Sequence, residues 1–211
     1  MARPLGKPLP GSIHLPRWWF GRRAGPLVVA LVIAVALLGR ACRPAQGGSD
    51  WARYHDRSFK VTRVVDGDTL DIDAPDGDKR TTRIRLWGVD TPEMRKGDRA
   101  AMHYAEEATR YARGLLEGRR VHVVLAPKRS RGKYGRLLAY VFLERGGRMF
   151  NEMLIEEGCA YADRRFPHPY KRQFEDLEKR ARKQAVGLWQ TVTIDKMPEW
   201  RQRFERRANG P

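Results

Sequence analysis

Alternation of apolar and polar residues with a period of two marks the first strands of this chain. Residues 58–65 alternate enough to predict a strand, and Asp66-Gly67 behind them is a turn signal. Thr69-Leu70-Asp71-Ile72-Asp73 alternates again, and Asp76-Gly77 reads as a hairpin turn. A third strand follows over 81–89, with Ile84, Leu86 and Gly88 on one face and Pro92 ending it. The spacing then becomes helical over 97–117, with Met102, Ala105, Ala108, Ala112, Leu115 and Leu116 on one stripe and Gly118 closing it. Strands at 121–125 and 137–143 come next, separated by a basic loop over 127–132. A short helix over 149–157 stops at Gly158, and a charged amphipathic helix over 170–184 carries Phe174, Leu177 and Ala181 on one side. The order is βββ-α-β-β-α-α. Links that are mostly hairpins suit a small closed barrel rather than a parallel doubly wound sheet. The pattern therefore predicts an α+β, mainly β domain over 54–190, a five-stranded barrel with three helices.

The flanks are different in kind. Residues 1–25 are basic, and 26–39 form an uncharged apolar segment closed by Arg40 and Arg43. A basic region before an apolar run of about a dozen residues fits a secretory signal. A membrane-spanning helix wants about 20 apolar residues, and only 16 lie between Ala24 and Gly39. Export is expected, leaving the domain outside the cytoplasm, either cleaved free or held at the membrane by 26–39. Residues 40–53 read as linker. Residues 191–211 form a basic tail with Trp200 and Phe204 available to pack on the domain.

Charge narrows the class. The 211 residues carry Lys plus Arg 42 against Asp plus Glu 25, a formal net charge of +17. Residues 1–49 contribute seven of those positive charges and no acid, so the remainder stays at +10. A basic globular part suits a polyanionic partner. With 41% hydrophobic residues the chain can build a core, which excludes wholesale disorder. The two cysteines, Cys42 and Cys159, make neither a zinc site nor a disulfide framework, and Cys159 reads as a buried small hydrophobe.

The chemistry sits in three short segments: 65–69 (Val-Asp-Gly-Asp-Thr), 85–93 (Arg-Leu-Trp-Gly-Val-Asp-Thr-Pro-Glu) and 133–136 (Lys-Tyr-Gly-Arg). Asp68 opens the second strand and Asp90 ends the third, so a barrel can bring their carboxylates together as oxygen ligands for a hard cation. Glu93, three residues on, could orient or deprotonate a water. Arg85 and Arg136 carry guanidiniums suited to phosphate. Metal-assisted attack on a phosphodiester is the chemistry this mixture supports. One local objection stands: Arg85 and Asp90 are an odd number apart, hence on opposite faces of a strand unless a bulge near Gly88 intervenes. Lys128, Arg129, Arg131 and Lys133 with Tyr134 form a basic loop fit for nucleic-acid contact, while Asp66 and Asp71 read as turn and surface residues. His103, His122 and His168 lack a partner pattern and read as structural.

These segments, in this order, resemble the staphylococcal (thermonuclease-type) nuclease family, as do Leu138-Ala139-Tyr140, Asn151-Glu152 and Gly187-Leu188-Trp189. The likeness spans 58–190. It implies an OB-fold barrel with three helices and Ca²⁺-dependent cleavage of DNA and RNA at the 5′-oxygen–phosphorus bond, leaving 3′-phosphates. It further implies Asp68 and Asp90 as metal ligands with the Thr91 carbonyl, Arg85 and Arg136 on the phosphoryl oxygens, and Glu93 on the water. Single strands or frayed duplex should be preferred, and a monomer is expected. The sequence departs from the family at Gly132, where an acid is common, so the basic loop is expected to be looser. Tyr134 matches one base-stacking aromatic, and 161–170, with Phe166 and Tyr170, is a second source. The competing class is a barrel that binds nucleic acid or protein without catalysis; retention of all five charged residues argues against it.

Overall fold

The structure is a computed structural model, which describes residues 49–208 apart from 96 and 99. The basic region 1–25, the apolar segment 26–39 and Cys42 lie outside the described residues. Among those described, no helix is long and apolar enough to cross a membrane.

Five strands close the barrel: β1 Arg57–Asp66, β2 Thr69–Ile72, β3 Thr82–Leu86, β5 Arg120–Leu125 and β6 Leu137–Phe142. Their order around it is β1-β2-β3-β6-β5. All neighbours are antiparallel except β3 and β6, which run parallel with Arg85 opposite Leu138. Closure removes sheet edges and gathers Val61, Ile72, Ile84, Val123, Leu137 and Val141 into a core closed to solvent. Alternation is clearest in β3, where Thr82, Ile84 and Leu86 are buried while Arg83 and Arg85 face outward.

The third strand is shorter than its sequence pattern suggests. It stops at Leu86, turns through Trp87-Gly88, and resumes as β4 Val89–Asp90, which pairs with β7 Tyr161–Ala162 outside the barrel. Gly88 has φ +81°, a left-handed conformation that favours glycine, and a side chain there would collide with the His168 ring at 2.6 Å. The helix expected over 97–117 begins only at Ala105, as α2 Ala105–Leu116. Tyr104 ahead of it sits at φ 69°, and the Met102 N–H donates to the Glu93 carbonyl at 2.9 Å, so the preceding residues close a loop instead of adding turns.

Helices α3 Phe150–Glu156 and α4 Lys171–Lys183 lie where helical spacing placed them. Asn151, fully buried, brackets three elements: its Oδ1 accepts from Val141 in β6 at 3.0 Å, and its Nδ2 donates to the Trp87 carbonyl at 3.0 Å.

Among the described residues the folded part extends past 54–190 at both ends. Helix α1 Asp50–Tyr54 occupies the end of the expected linker and buries Tyr54. Two short 3₁₀ turns lead to α5 Glu199–Ala208. In α5 the expected basic tail turns inward. Arg201 has 0% exposure, donates to Glu178 at 3.0 and 2.8 Å, and meets Glu205 one helical turn on at 2.8 Å. Glu178 also accepts from the Ala162 N–H and from Arg164, so its buried charge is fully partnered. Trp200 is half-buried, and Phe204 keeps 38% of its surface exposed.

Candidate active site

Asp68 and Asp90 meet because of what lies between them. The Leu86 N–H donates to the Asp68 carbonyl at 2.8 Å, which fastens the start of β2 to the end of β3. Beyond the Trp87-Gly88 turn, the Thr91 N–H donates to Asp68 Oδ2 at 2.9 Å. Gly67 permits the close approach, since a Cβ there would stand 2.7 Å from the Thr91 side chain. Both carboxylates are buried, at 3% and 7% exposure. Arg85 joins them, Nη1 on Asp68 and Nη2 on Asp90. The turn at Gly88 answers the spacing objection: it rotates Asp90 onto the side of β3 from which Arg85 projects.

Arg136 reaches the same place from the loop before β6, donating to Thr69 Oγ1 at 3.3 Å. Burial, and then the like charge of Arg85, draw its guanidinium below the ordinary arginine range, with Asp66 and Glu93 opposing. Glu93 is exposed at the edge of the group, yet loss of hydration and the neighbouring Asp66 push its carboxyl upward. Asp66 makes the expected turn contact, accepting from the Asp68 N–H at 3.2 Å. It is also half-buried among Arg85 and Arg136, its carboxyl raised by burial, and is thus part of the site's charge rather than only its surface. Asp71 corrects the sequence reading outright: it is buried and bound twice by Arg83, at 2.7 and 2.9 Å.

Two residues at Asp90 escaped the sequence reading. Arg165, from the loop between β7 and α4, meets Asp90 Oδ1 at 3.1 Å and is held by Asp163 at 2.8 Å. Trp200 of α5 donates its indole N–H to Asp90 Oδ2 at 2.7 Å, and the Arg165 guanidinium stacks on its ring at 4.6 Å. Trp200 lies 110 residues from Asp90. Only its place in an otherwise charged tail set it apart in the sequence.

The basic loop divides. Tyr134 is 71% exposed, with Lys133 over its ring at 4.7 Å and Arg136 at 5.8 Å. Lys128 and Arg129 are exposed. Arg131 instead clamps the loop, binding Asp50 of α1 and Asp76 of the β2–β3 hairpin at 2.7–3.0 Å and the Gly135 carbonyl at 2.8 Å. That clamp ties the loop that contains Gly132 to α1 and to the β2–β3 hairpin. Of the second aromatic source, Phe166 is exposed and stacks on Trp87 at 5.3 Å, while Tyr170 packs edge-on against Tyr140. His122 is structural, bound to Asp56 at 2.9 Å, and burial pushes the Cys159 thiol up to about 12.

The donor chemistry suits a hard cation. Asp68 and Asp90 offer oxygen from positions close enough for one guanidinium to span, with Asp66 and Glu93 adding negative charge nearby. Among the described residues no group of three or more His, Cys, Asp or Glu side chains converges on one point. A cation here would complete its shell with backbone and solvent oxygen, as such ions commonly do.

Comparison with known proteins bears out the family likeness. The profile described as Staphylococcal nuclease homologue matches residues 83–191. The Thermonuclease of Staphylococcus hyicus is 32% identical over 164 residues, 77% of this chain and 94% of that protein. The Thermonuclease of Staphylococcus intermedius is 34% identical, covering 79% and 96%. The Micrococcal nuclease of Shigella flexneri is 29% identical, covering 75% and 87%.

Proposed function

Because the chain belongs to the staphylococcal nuclease family, we propose that it is a Ca²⁺-dependent nuclease. It hydrolyses DNA and RNA at the 5′-oxygen–phosphorus bond and leaves 3′-phosphates. The observation that carries this reading is the joining of Asp68 and Asp90 through Arg85, with Arg136 and Glu93 drawn to the same point. Asp68, Asp90 and the Thr91 carbonyl would hold Ca²⁺, which when bound supplies Lewis-acid charge to the phosphate. Arg85 and Arg136 meet the charge that grows on the phosphoryl oxygens, where preorganised cations act most strongly. Glu93, its carboxyl pushed upward by loss of hydration and by Asp66, orients the attacking water and takes its proton. Lys128, Arg129 and Lys133 contact flanking phosphates, and Tyr134 supports a base. A site that must surround one phosphate with both signs of charge favours single or frayed strands, and the domain acts as a monomer.

The experiment is direct. A purified chain of residues 47–211 should cut both DNA and RNA in Ca²⁺, lose activity in chelator and regain it on Ca²⁺ addition. Equal activity in chelator would remove the metal from the reading, and binding without cleavage under any divalent ion would make the barrel a binding module. The same reading sends the chain out of the cytoplasm through residues 26–39, which either leave by cleavage or remain as a membrane anchor. Full-length protein in the cytosol on fractionation would refute export.

A further inference from the structure

Four side chains of α5 fall on one stripe: Trp200, Arg203, Phe204 and Arg207. Their spacing of three, one and three residues puts them on a single helical face. The other face carries Arg201 and Glu205, which dock the helix on the domain. The stripe walls a groove of about 490 Å³ whose opposite side includes Arg165 and Lys171. Glu175 is the one carboxylate among its described lining residues, so the groove is strongly positive. Two of its lining residues, Arg165 and Trp200, also contact Asp90, so the groove borders the candidate active site.

We propose that this groove is a second binding track, holding phosphates and bases of a single-stranded nucleic acid beyond the phosphate being cleaved. The inference rests on the nuclease reading for the direction in which the strand runs. It draws on separate residues for its affinity. Cations interleaved with aromatic rings are the surface that single strands require, phosphate on the one and base faces on the other. Phe204 offers an accessible ring edge, with Arg164 on it at 4.5 Å. Arg203 is mostly exposed, and its pairing with the still more exposed Glu199 is long, at 3.7 Å. An exposed pair of that kind holds little free energy and yields to phosphate. An acidic polypeptide would also meet the positive charge, but the partly exposed Phe204 ring edge and the half-exposed Arg165 guanidinium add flat surface for bases that such a polypeptide has no use for.

The test measures binding in chelator, where no strand is cut. A fluorescent oligonucleotide of roughly 20 nucleotides is titrated against the full chain and against Arg203→Ala/Arg207→Ala by anisotropy. Each phosphate contact on a single strand contributes about 0.7 to the slope of log affinity on log salt. The double variant should therefore bind about tenfold or more weakly at low salt, with a slope shallower by about 1.4. A charge-matched control, Arg113→Ala/Arg145→Ala, removes exposed charge from other elements and should change binding far less. Equal weakening in the control, or an unchanged slope in the groove variant, would overturn the track. Displacement of the oligonucleotide by polyglutamate as readily as by unlabelled strand would overturn it in favour of an acidic partner. Melting temperature confirms that both variants fold. Cleavage by the unaltered chain in Ca²⁺ tests the parent reading separately, so the two failures are distinguishable.

Discussion

Arg85 is the residue on which the site turns, because it binds both carboxylates that the proposed metal needs. Removing one preorganised donor from a phosphoryl transition state costs about 10²–10³ in rate. Arg85→Ala and Arg136→Ala should each lower turnover by that factor, measured on a short oligonucleotide at saturating Ca²⁺. Asp68→Ala should instead weaken metal affinity and recover partly at high Ca²⁺. Trp200 acts at one remove. Its indole N–H fixes Asp90 Oδ2, while the ring face carries Arg165. Trp200→Phe keeps the ring and deletes the donor, so it should weaken Ca²⁺ binding by about tenfold, as loss of a group orienting a metal ligand does. Calorimetric titration reads this without turnover. Unchanged affinity would make the tryptophan a packing residue only.

At the scale of elements, the Trp87-Gly88 turn is what converts one long strand into a strand and an extension that carries Asp90. It is secured from three sides: Gly88 against His168, the Trp87 carbonyl on Asn151, and β4 on β7. Asn151→Ala would leave the Val141 N–H and the Trp87 carbonyl buried without partners. Each such orphan costs about 1–3 kcal/mol, and denaturant unfolding should show a loss of that order. Activity should fall too, since the turn that carries Asp90 loses a bracket. Asn151→Asp sets a carboxylate against the Trp87 carbonyl at a fully buried position and should cost at least as much as the alanine.

The whole molecule is closed by α5. Truncation after Gln190 would strip Arg201 from Glu178, leaving that buried carboxylate only Arg164 and the Ala162 N–H; removing one partner of a buried ion pair costs about 3–5 kcal/mol. The truncated chain should be strongly destabilised in thermal unfolding, although it keeps every motif of the family likeness. Acid should act through the same seam and through the Arg131 clamp. Glu205 is held below the ordinary glutamate range: burial acts against this, but hydrogen bonds and charge from Arg182 and Arg201 outweigh it. Asp50 is held low by its hydrogen bonds with Arg131. Depressed carboxyls add stability that is present above their unfolded values and is lost as pH falls through the folded ones. Stability of the full domain should therefore decline as pH drops below about 4.5, and Glu205→Gln should flatten part of that decline.

Five barrel strands and the three charged segments were legible along the chain, because period-two alternation and turn dipeptides are local signals that survive without the fold; the break at Trp87-Gly88, the β4–β7 pair and the parallel β3–β6 contact were not. The sequence located Asp68, Asp90, Arg85, Glu93 and Arg136 through short motifs, and it alone speaks for the export segment at 26–39. What it could not decide were contacts between distant residues. Arg85 and Asp90 looked incompatible until a left-handed glycine broke the strand between them. Arg131 looked like one more phosphate-binding cation until Asp50 and Asp76 closed on it. Arg201 and Trp200 looked like parts of a solvated tail. Whether a charged side chain faces water or a buried partner depends on what the chain brings up from elsewhere, here Glu178 and Asp90. Tertiary structure made that choice, since burying an ion pair is tolerable only where every lone pair and proton finds its complement.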